Sequence, residues 1–409
     1  MSARSLAAPA SGRRLDLEGY RGIAALGVVV FHAYQFNRGD AGAHYAFEGT
    51  VAFPVLRNLD GLVNLFFVLS AYLLYAPLVR AVRAGEPPQP VRVFLFRRAV
   101  RILPLYWTAI LVVWAARNPR LPGDWRDLLE HLSCTQVFDS KRIFWTIGPA
   151  WSLSVEIYFY LALAGVYLAF RSRIAAGLSP RARRGALWVF PVVLAVVGLA
   201  WKGAALLAHE PGTRWAVWFN PLAKADVFAA GAMLALVASV RDGRALRRGS
   251  LLVLRLVGVA LIVAGAAIRT DAPGRATAFG LLSTGGCALL ILSSILAPEA
   301  SRYRRALAAR WLTWFGVISY SLYLWHEPVL LFLDGKLHLD HAPAYFLLTA
   351  ALLLAAAIPV AVVSNRLVEQ PFNRLRRMMR ADGARRDIYA ELPGLAPTDP
   401  PANAMVLSR

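Results

Sequence analysis

Ten apolar stretches of about 17–22 residues, separated by short connectors rich in arginine, constrain this chain of 409 residues more than any other feature. A helix rises 1.5 Å per residue, so ~20 apolar residues cross a hydrocarbon core of ~30 Å, and in lipid a helix satisfies its own backbone polar groups. The stretches lie at roughly 20–37, 62–79, 100–116, 152–170, 187–207, 221–239, 251–268, 276–296, 312–333 and 344–364. They predict an all-α fold, a polytopic transmembrane helical bundle of about ten spans. A hydrophobic content of 58% and a mean hydropathy of +0.50 point the same way.

A formal net charge of +21 would suggest nucleic acid if the chain were soluble, so the placement of the charges matters. Of 45 Lys and Arg, 30 fall in the N-terminal tail and in the alternate connectors 80–101, 171–186, 240–250, 298–311 and 366–409, against 11 in the other connectors. The positive-inside rule then puts both termini in the cytoplasm, and the charge reads as an orientation signal and an attraction to anionic lipid. No nucleic-acid partner is expected. The run Gly22 to Phe31 behind Arg13 and Arg14 has the length of a signal-peptide core, but no convincing cleavage site follows it.

No internal repeat is evident, and the longest connector, 117–150, is too short for a globular domain of its own. The expected organisation is a cytoplasmic tail over 1–19, a membrane domain over 20–374 and a disordered cytoplasmic tail over 375–409, rich in Arg, Pro and Ala. In GEPPQP, residues 85–90, prolines stop one helix before VRVFLFRRAVRILPLYW, which mixes aromatic, apolar and basic residues as an interfacial helix does. Cys134 and Cys287 fall at different depths and suggest neither a disulfide nor a metal site.

Ionisable groups inside a membrane usually face a bundle interior or a wet cavity, and by default they suggest a functional site. By counting residues from the span ends, His32 and Glu156 both lie roughly 6–8 Å inside the outer boundary. Asn64, Asp226 and His326 fall in the same outer third, as possible acceptor-site residues, and so does Lys224. Span ends also collect polar residues for ordinary reasons: His326 could cap its helix, and Asp226 with Lys224 could be a structural pair. At the inner face Arg21 opens the first span, and Arg98 and Arg101, spaced i and i+3, share a helix face where two guanidiniums could grip a phosphate. Plain inside-positive anchoring would account for any one of these arginines. A histidine suits general-base work near neutral pH, and a carboxylate such as Glu156 could fix its tautomer.

Six strings in one order, LDLEGYRGIAALGVVVFHAY, NLFFVLSAYLL, FRRAVRILPLYW, PAWSLSVEIYFYL, ISYSLYLWHEPVL and RLVEQPFNR, resemble the acyltransferase 3 family of integral-membrane O-acyltransferases over roughly residues 15–376. The resemblance implies transfer of an acyl group, often acetyl, from acyl-CoA on the cytoplasmic side to a hydroxyl of a saccharide, lipid-linked glycan, lipid or secondary metabolite. Its motif positions fall on Arg21 and His32, on Arg98 and Arg101, and on Glu156. Two departures stand out: the family often reads VDLFFVLSG where this chain has VNLFFVLSA, and Ile157 stands where a second acidic residue commonly follows Glu156. Some relatives carry an esterase-like domain after the last span, whereas this sequence runs about 45 residues past its tenth, so acceptor handling is expected in the membrane domain or in another protein.

The expected mechanism has Arg98 and Arg101, with Arg21, holding the CoA phosphates. His32, oriented by Glu156, removes the acceptor proton, either in direct transfer or by way of an acyl-histidine. Acyl-CoA is then a co-substrate, with no permanently bound cofactor and no metal. The expected location is the plasma (inner) membrane of a bacterium. The rival class is a transporter or flippase whose buried His, Glu, Asp and Lys relay protons or bind a solute.

Overall fold

The computed structural model describes residues 14–378 apart from 40–43, 121, 176, 242 and 243. Among these, ten long helices take up the ten apolar stretches: α1 (Leu15–Phe36), α2 (Leu62–Ala84), α3 (Val91–Arg117), α4 (Ala150–Ala175), α5 (Pro180–Leu207), α6 (Ala225–Val240), α7 (Arg248–Ile268), α8 (Pro273–Ile295), α9 (Arg310–Leu337) and α10 (Phe346–Ser364). Short helical turns join them, and no strand occurs among the described residues. Seven of the segments, those containing α2–α5, α7, α8 and α10, are long and apolar enough to cross a membrane by themselves. Of the other three, α6 has only 16 residues, and α1 and α9 carry charged side chains. The chain is an all-α membrane helical bundle.

The local signals that bound these helices are ordinary ones. Gly85, at φ +82°, takes the left-handed conformation that ends α2, and the Glu86 N–H closes the last turn on the Ala81 carbonyl. Pro90 then stands as the N-cap of α3, and Ser179 caps α5 ahead of Pro180 at its first position.

Three helices begin five or more residues earlier than the hydropathy suggests, α1, α3 and α5, and the first two carry charged residues into the bundle. Helix α1 starts at Leu15, not near residue 20, because its first turn is buried as an ionic cluster. Asp16 is only 2% exposed, receives the Ser294 hydroxyl at 2.6 Å, and pairs with Arg14 at 2.5 Å and Arg304 at 3.4 Å. The expected boundary at 19/20 therefore falls inside a helix. Helix α3 starts at Val91, so the stretch expected to lie along the interface is continuous with the third span. Of the tail expected to be disordered, 375–409, residues 375–378 end a helix, Gln370–Met378, and the rest, like residues 1–13, lies outside the described residues.

Helix α1 is the hub. One of its faces, with Ala24 and Val28, joins the larger apolar core formed with α2, α3, α4 and α6. The adjoining face, with Ala25, Val29 and Ala33, joins a second core formed with α9 and α10. Missing side chains allow the α1/α9 crossing: a Cβ on Gly22 would stand 2.3 Å from the Leu312 carbonyl oxygen, and one on Gly316 would stand 2.1 Å from that of Glu18. Outside the cores, α5 and α7 turn Val189, Val193, Val196, Leu252, Leu256 and Val263 outward. So much exposed apolar surface suits lipid tails and would be an association hazard in water.

Candidate active site

A cavity of about 300 Å³ opens where α1, α2, α3, α4 and α9 meet. Arg21, Arg98 and Arg101 line it together with Glu156, so three guanidiniums face one carboxylate. Ser70, Ser152, Tyr160, Ser319, Tyr320 and Tyr323 supply hydroxyls, and Phe66, Phe67, Leu69 and Leu74 supply much of the apolar wall.

The helical period places the two arginines of α3 on one face, as their spacing predicts. The early start of α3 sets their depth. Arg101 lies ten residues into the helix, about 15 Å along its axis, rather than at its entrance. Arg98 lies over the Tyr160 ring, 6.0 Å from its centroid, and its buried Nε has no hydrogen-bond partner. Arg101 makes no hydrogen bond or ion pair with any described residue, and its nearest charges include Arg21 and Arg98. Among the described residues, Arg21 makes a long contact, 4.0 Å, to Glu18. A buried guanidinium with unmet donors costs free energy until an anion supplies acceptors.

Hydrogen bonds hold the frame around this cluster. The Ser70 hydroxyl donates to the Glu156 carboxylate. The Tyr320 hydroxyl donates to the Ile102 carbonyl at 2.7 Å, fastening α9 to α3 beside Arg101. The Ser152 and Tyr323 hydroxyls are 2.7 Å apart. After α10 the chain makes one π-helical turn, Asn365–Glu369, and the Glu369 carboxylate accepts from Ser321 at 3.1 Å and Asn365 at 2.8 Å, within electrostatic reach of Arg21.

His32 lies further along α1. The structure brings it to His326, with His32 Nδ1 3.2 Å from His326 Nε2 and the ring centroids 4.7 Å apart. The expected His32–Glu156 pair is therefore replaced by two others: Glu156 joins Ser70 and the arginine cluster, and His32 joins a second histidine. Counting residues from span ends missed this because α3 carries its arginines deep into the bundle, to the level of Glu156. His326 is fully buried and adjoins the Tyr323 ring, so it belongs to the wall behind the cavity.

The remaining expected acceptor-site residues bind other helices. Asn64 donates to Ser283 at 3.3 Å, linking α2 to α8, and does not line the cavity. Asp226 pairs with Lys202 of α5 at 2.6 Å rather than with Lys224. Lys224, the residue that precedes α6, instead lies over the rings of Phe219 and Trp151, at 4.7 and 5.5 Å. Among the described residues, no three His, Cys, Asp or Glu side chains gather as a metal site.

Sequence reasoning missed Ser70, Tyr160, Tyr320, Tyr323 and Glu369. Helical spacing carried some of the signal: Tyr160 follows Glu156 at i+4, and Tyr320, Tyr323 and His326 recur every third residue of α9.

A helical membrane bundle that holds an arginine-lined cavity and a histidine pair suits a group-transfer enzyme working within the bilayer. The sequence matches the acyltransferase domain family over residues 14–366, and the chain belongs to that family. It is an acyltransferase, which decides against the transporter reading. BcsY of Komagataeibacter xylinus, provisionally named a membrane-bound transacylase, is 27% identical over 88% of this chain and 82% of its own length. The peptidoglycan O-acetyltransferase OatA of Listeria monocytogenes is 24% identical over 88% of this chain, which spans 56% of that relative's length. The acyltransferase MdmB of Streptomyces mycarofaciens is 26% identical over 88% of this chain and 92% of its own length. No solved structure matches the sequence significantly.

Proposed function

We propose that the protein moves an acyl group, acetyl in the simplest case, from acyl-CoA in the cytoplasm to a hydroxyl of a saccharide or glycan presented on the other side of a bacterial inner membrane. The observation that carries this reading is the arginine cluster, with its unpartnered Arg98 Nε and an Arg101 guanidinium that lines the cavity without a hydrogen bond or ion pair to any described residue. Phosphate oxygens of a nucleotide-linked thioester match that donor set. About 300 Å³ is at the small end for a ligand pocket, room for a phosphate group and the slender acyl-thioester arm attached to it, with the rest of the nucleotide outside. Arg21, Arg98 and Arg101 thus hold the phosphorylated end, and Glu156, tied to Ser70, balances their charge when the donor is absent.

His32 acts as the general base. It takes the proton of the acceptor hydroxyl as the oxygen attacks the thioester carbonyl; the C–S bond breaks, and the thiolate leaves with the proton that His32 returns. The buried frame around the cavity limits entry of water that would waste the thioester. The acetyltransferase and exopolysaccharide names among the relatives, OatA of Listeria monocytogenes and ExoZ of Rhizobium meliloti, support a glycan hydroxyl as the acceptor. The arginine-rich connectors support cytoplasmic termini and a cytoplasmic donor side.

The test uses purified protein in nanodiscs with radiolabelled acetyl-CoA and cell-envelope glycan. The parent is expected to label the glycan and His32→Ala to lose the labelling; equal labelling by both would reject His32 as the base.

A further inference from the structure

The histidine pair determines which His32 nitrogen is free. A backbone carbonyl can only accept a hydrogen bond, so each ring nitrogen facing one carries hydrogen. His32 Nδ1 lies 2.9 Å from the Val28 carbonyl oxygen, and His326 Nδ1 lies 3.2 Å from that of Leu322. With its Nδ1 protonated, neutral His326 has a bare Nε2, and this is the atom 3.2 Å from His32 Nδ1. The His32 Nδ1–H therefore has two acceptors, one on its own helix and one on α9.

We propose that His326 is a positioning residue: by accepting the Nδ1–H of His32 at Nε2, it holds His32 in the one tautomer whose Nε2 lone pair is free to take a proton. This rests on the reading of His32 as the general base. The bond to Val28 ties the ring only to its own helix, and whenever that one bond opens the ring can turn about its side-chain torsions. The contact across helices removes that freedom and couples the ring to α9. His326 is fully buried and cannot reach a substrate, whereas His32 is half-buried and its Nε2 is not among the sealed, unpartnered polar atoms.

Next to His326, the Glu327 carboxylate accepts the Gly148 backbone N–H and lies within electrostatic reach of His32. It is placed to favour the imidazolium that forms when His32 takes the proton. This pair, rather than Glu156, does for His32 what a carboxylate partner was expected to do.

The test combines a spectroscopic and a kinetic measurement on full-length protein in nanodiscs. Nitrogen NMR of ¹⁵N-histidine protein, with His32 assigned from the signal lost in His32→Gln, is expected to show Nδ1 protonated, Nε2 bare, and an N–N coupling across the hydrogen bond to His326. His326→Phe, which fills the space without an acceptor, is expected to mix the His32 tautomers and lower kcat on the order of 10²-fold, the low end of a general base's contribution, with KM for acetyl-CoA unchanged. His326→Gln, whose amide oxygen can accept the same proton, is expected to restore the parent tautomer and most of kcat. A parent His32 protonated at Nε2, or a His326→Phe protein with parent tautomer and kcat, would overturn the proposal. Because the NMR measurement needs no turnover, failure to transfer an acyl group would count against the general-base reading and leave the tautomer result to be judged separately.

Discussion

The Ser70 hydroxyl on α2 donates to the Glu156 carboxylate on α4, and that bond keeps the one cavity-lining carboxylate facing Arg21, Arg98 and Arg101. The cavity lining therefore carries a surplus of positive charge in a poorly solvated place. Such a surplus is a standing cost that an incoming polyanion relieves. Anion binding there is therefore expected to stabilise the bundle.

Arg98→Ala and Arg101→Ala are each expected to remove a charge-assisted contact of about 1.5–3 kcal/mol, which weakens donor binding roughly 10- to 140-fold. Lysine at either position would restore the charge but not the two-pronged geometry, and only part of the affinity. Calorimetric titration of CoA into the nanodisc protein checks both; unchanged affinity in the alanine variants removes the assignment.

Glu156→Gln would leave three guanidiniums with no carboxylate in the cavity lining. A lower melting temperature without ligand is expected, together with a larger CoA-induced rise than in the parent, because the ligand now supplies the missing negative charge. Equal CoA-induced rises in the two proteins would show that Glu156 does not balance the cluster.

Lys202 and Asp226 form a buried ion pair between α5 and α6, with side chains 11% and 7% exposed. Lys202→Met or Asp226→Leu alone strands a charge and is expected to cost about 3–5 kcal/mol, while the double variant recovers most of that loss. Denaturant melts of the three variants test this. A stable double variant with full acyl transfer would confirm that Asp226 is no acceptor ligand.

Asn64→Ala removes a hydrogen bond to Ser283 outside the cavity. Interhelical bonds of this kind in membranes contribute about 0.6 kcal/mol on average, so stability should fall slightly and kcat/KM should stay at the parent value.

Gly22→Leu forces a side chain against the backbone of α9, where even a Cβ would stand 2.3 Å from the Leu312 carbonyl oxygen. Loss of folded protein in detergent extracts is expected, because backbone cannot yield as a flexible side chain can. Size-exclusion profiles of the variant report it.

Period and composition made much of this protein legible. Long apolar runs in a medium without water leave helices as the economical fold, and that requirement holds residue by residue along the chain. Arg98 and Arg101 were legible as sharing one face because a helix repeats its faces every three to four residues. Partners across helices were not legible. His32 and His326 are 294 positions apart, and nothing local says which helix will lie against α1. Lys224 stands two positions from Asp226, where helical geometry turns side chains apart, so the carboxylate went to Lys202 on another helix. Depth was misread for the same kind of reason. Hydropathy marks where a segment turns apolar, whereas burial of Asp16 and the arginine-bearing first half of α3 among other helices decided where α1 and α3 begin. Local sequence thus determined that helices form and which residues share a face; packing between distant helices, set by small residues at crossings and by buried polar pairs, decided which faces meet and hence which groups can act together.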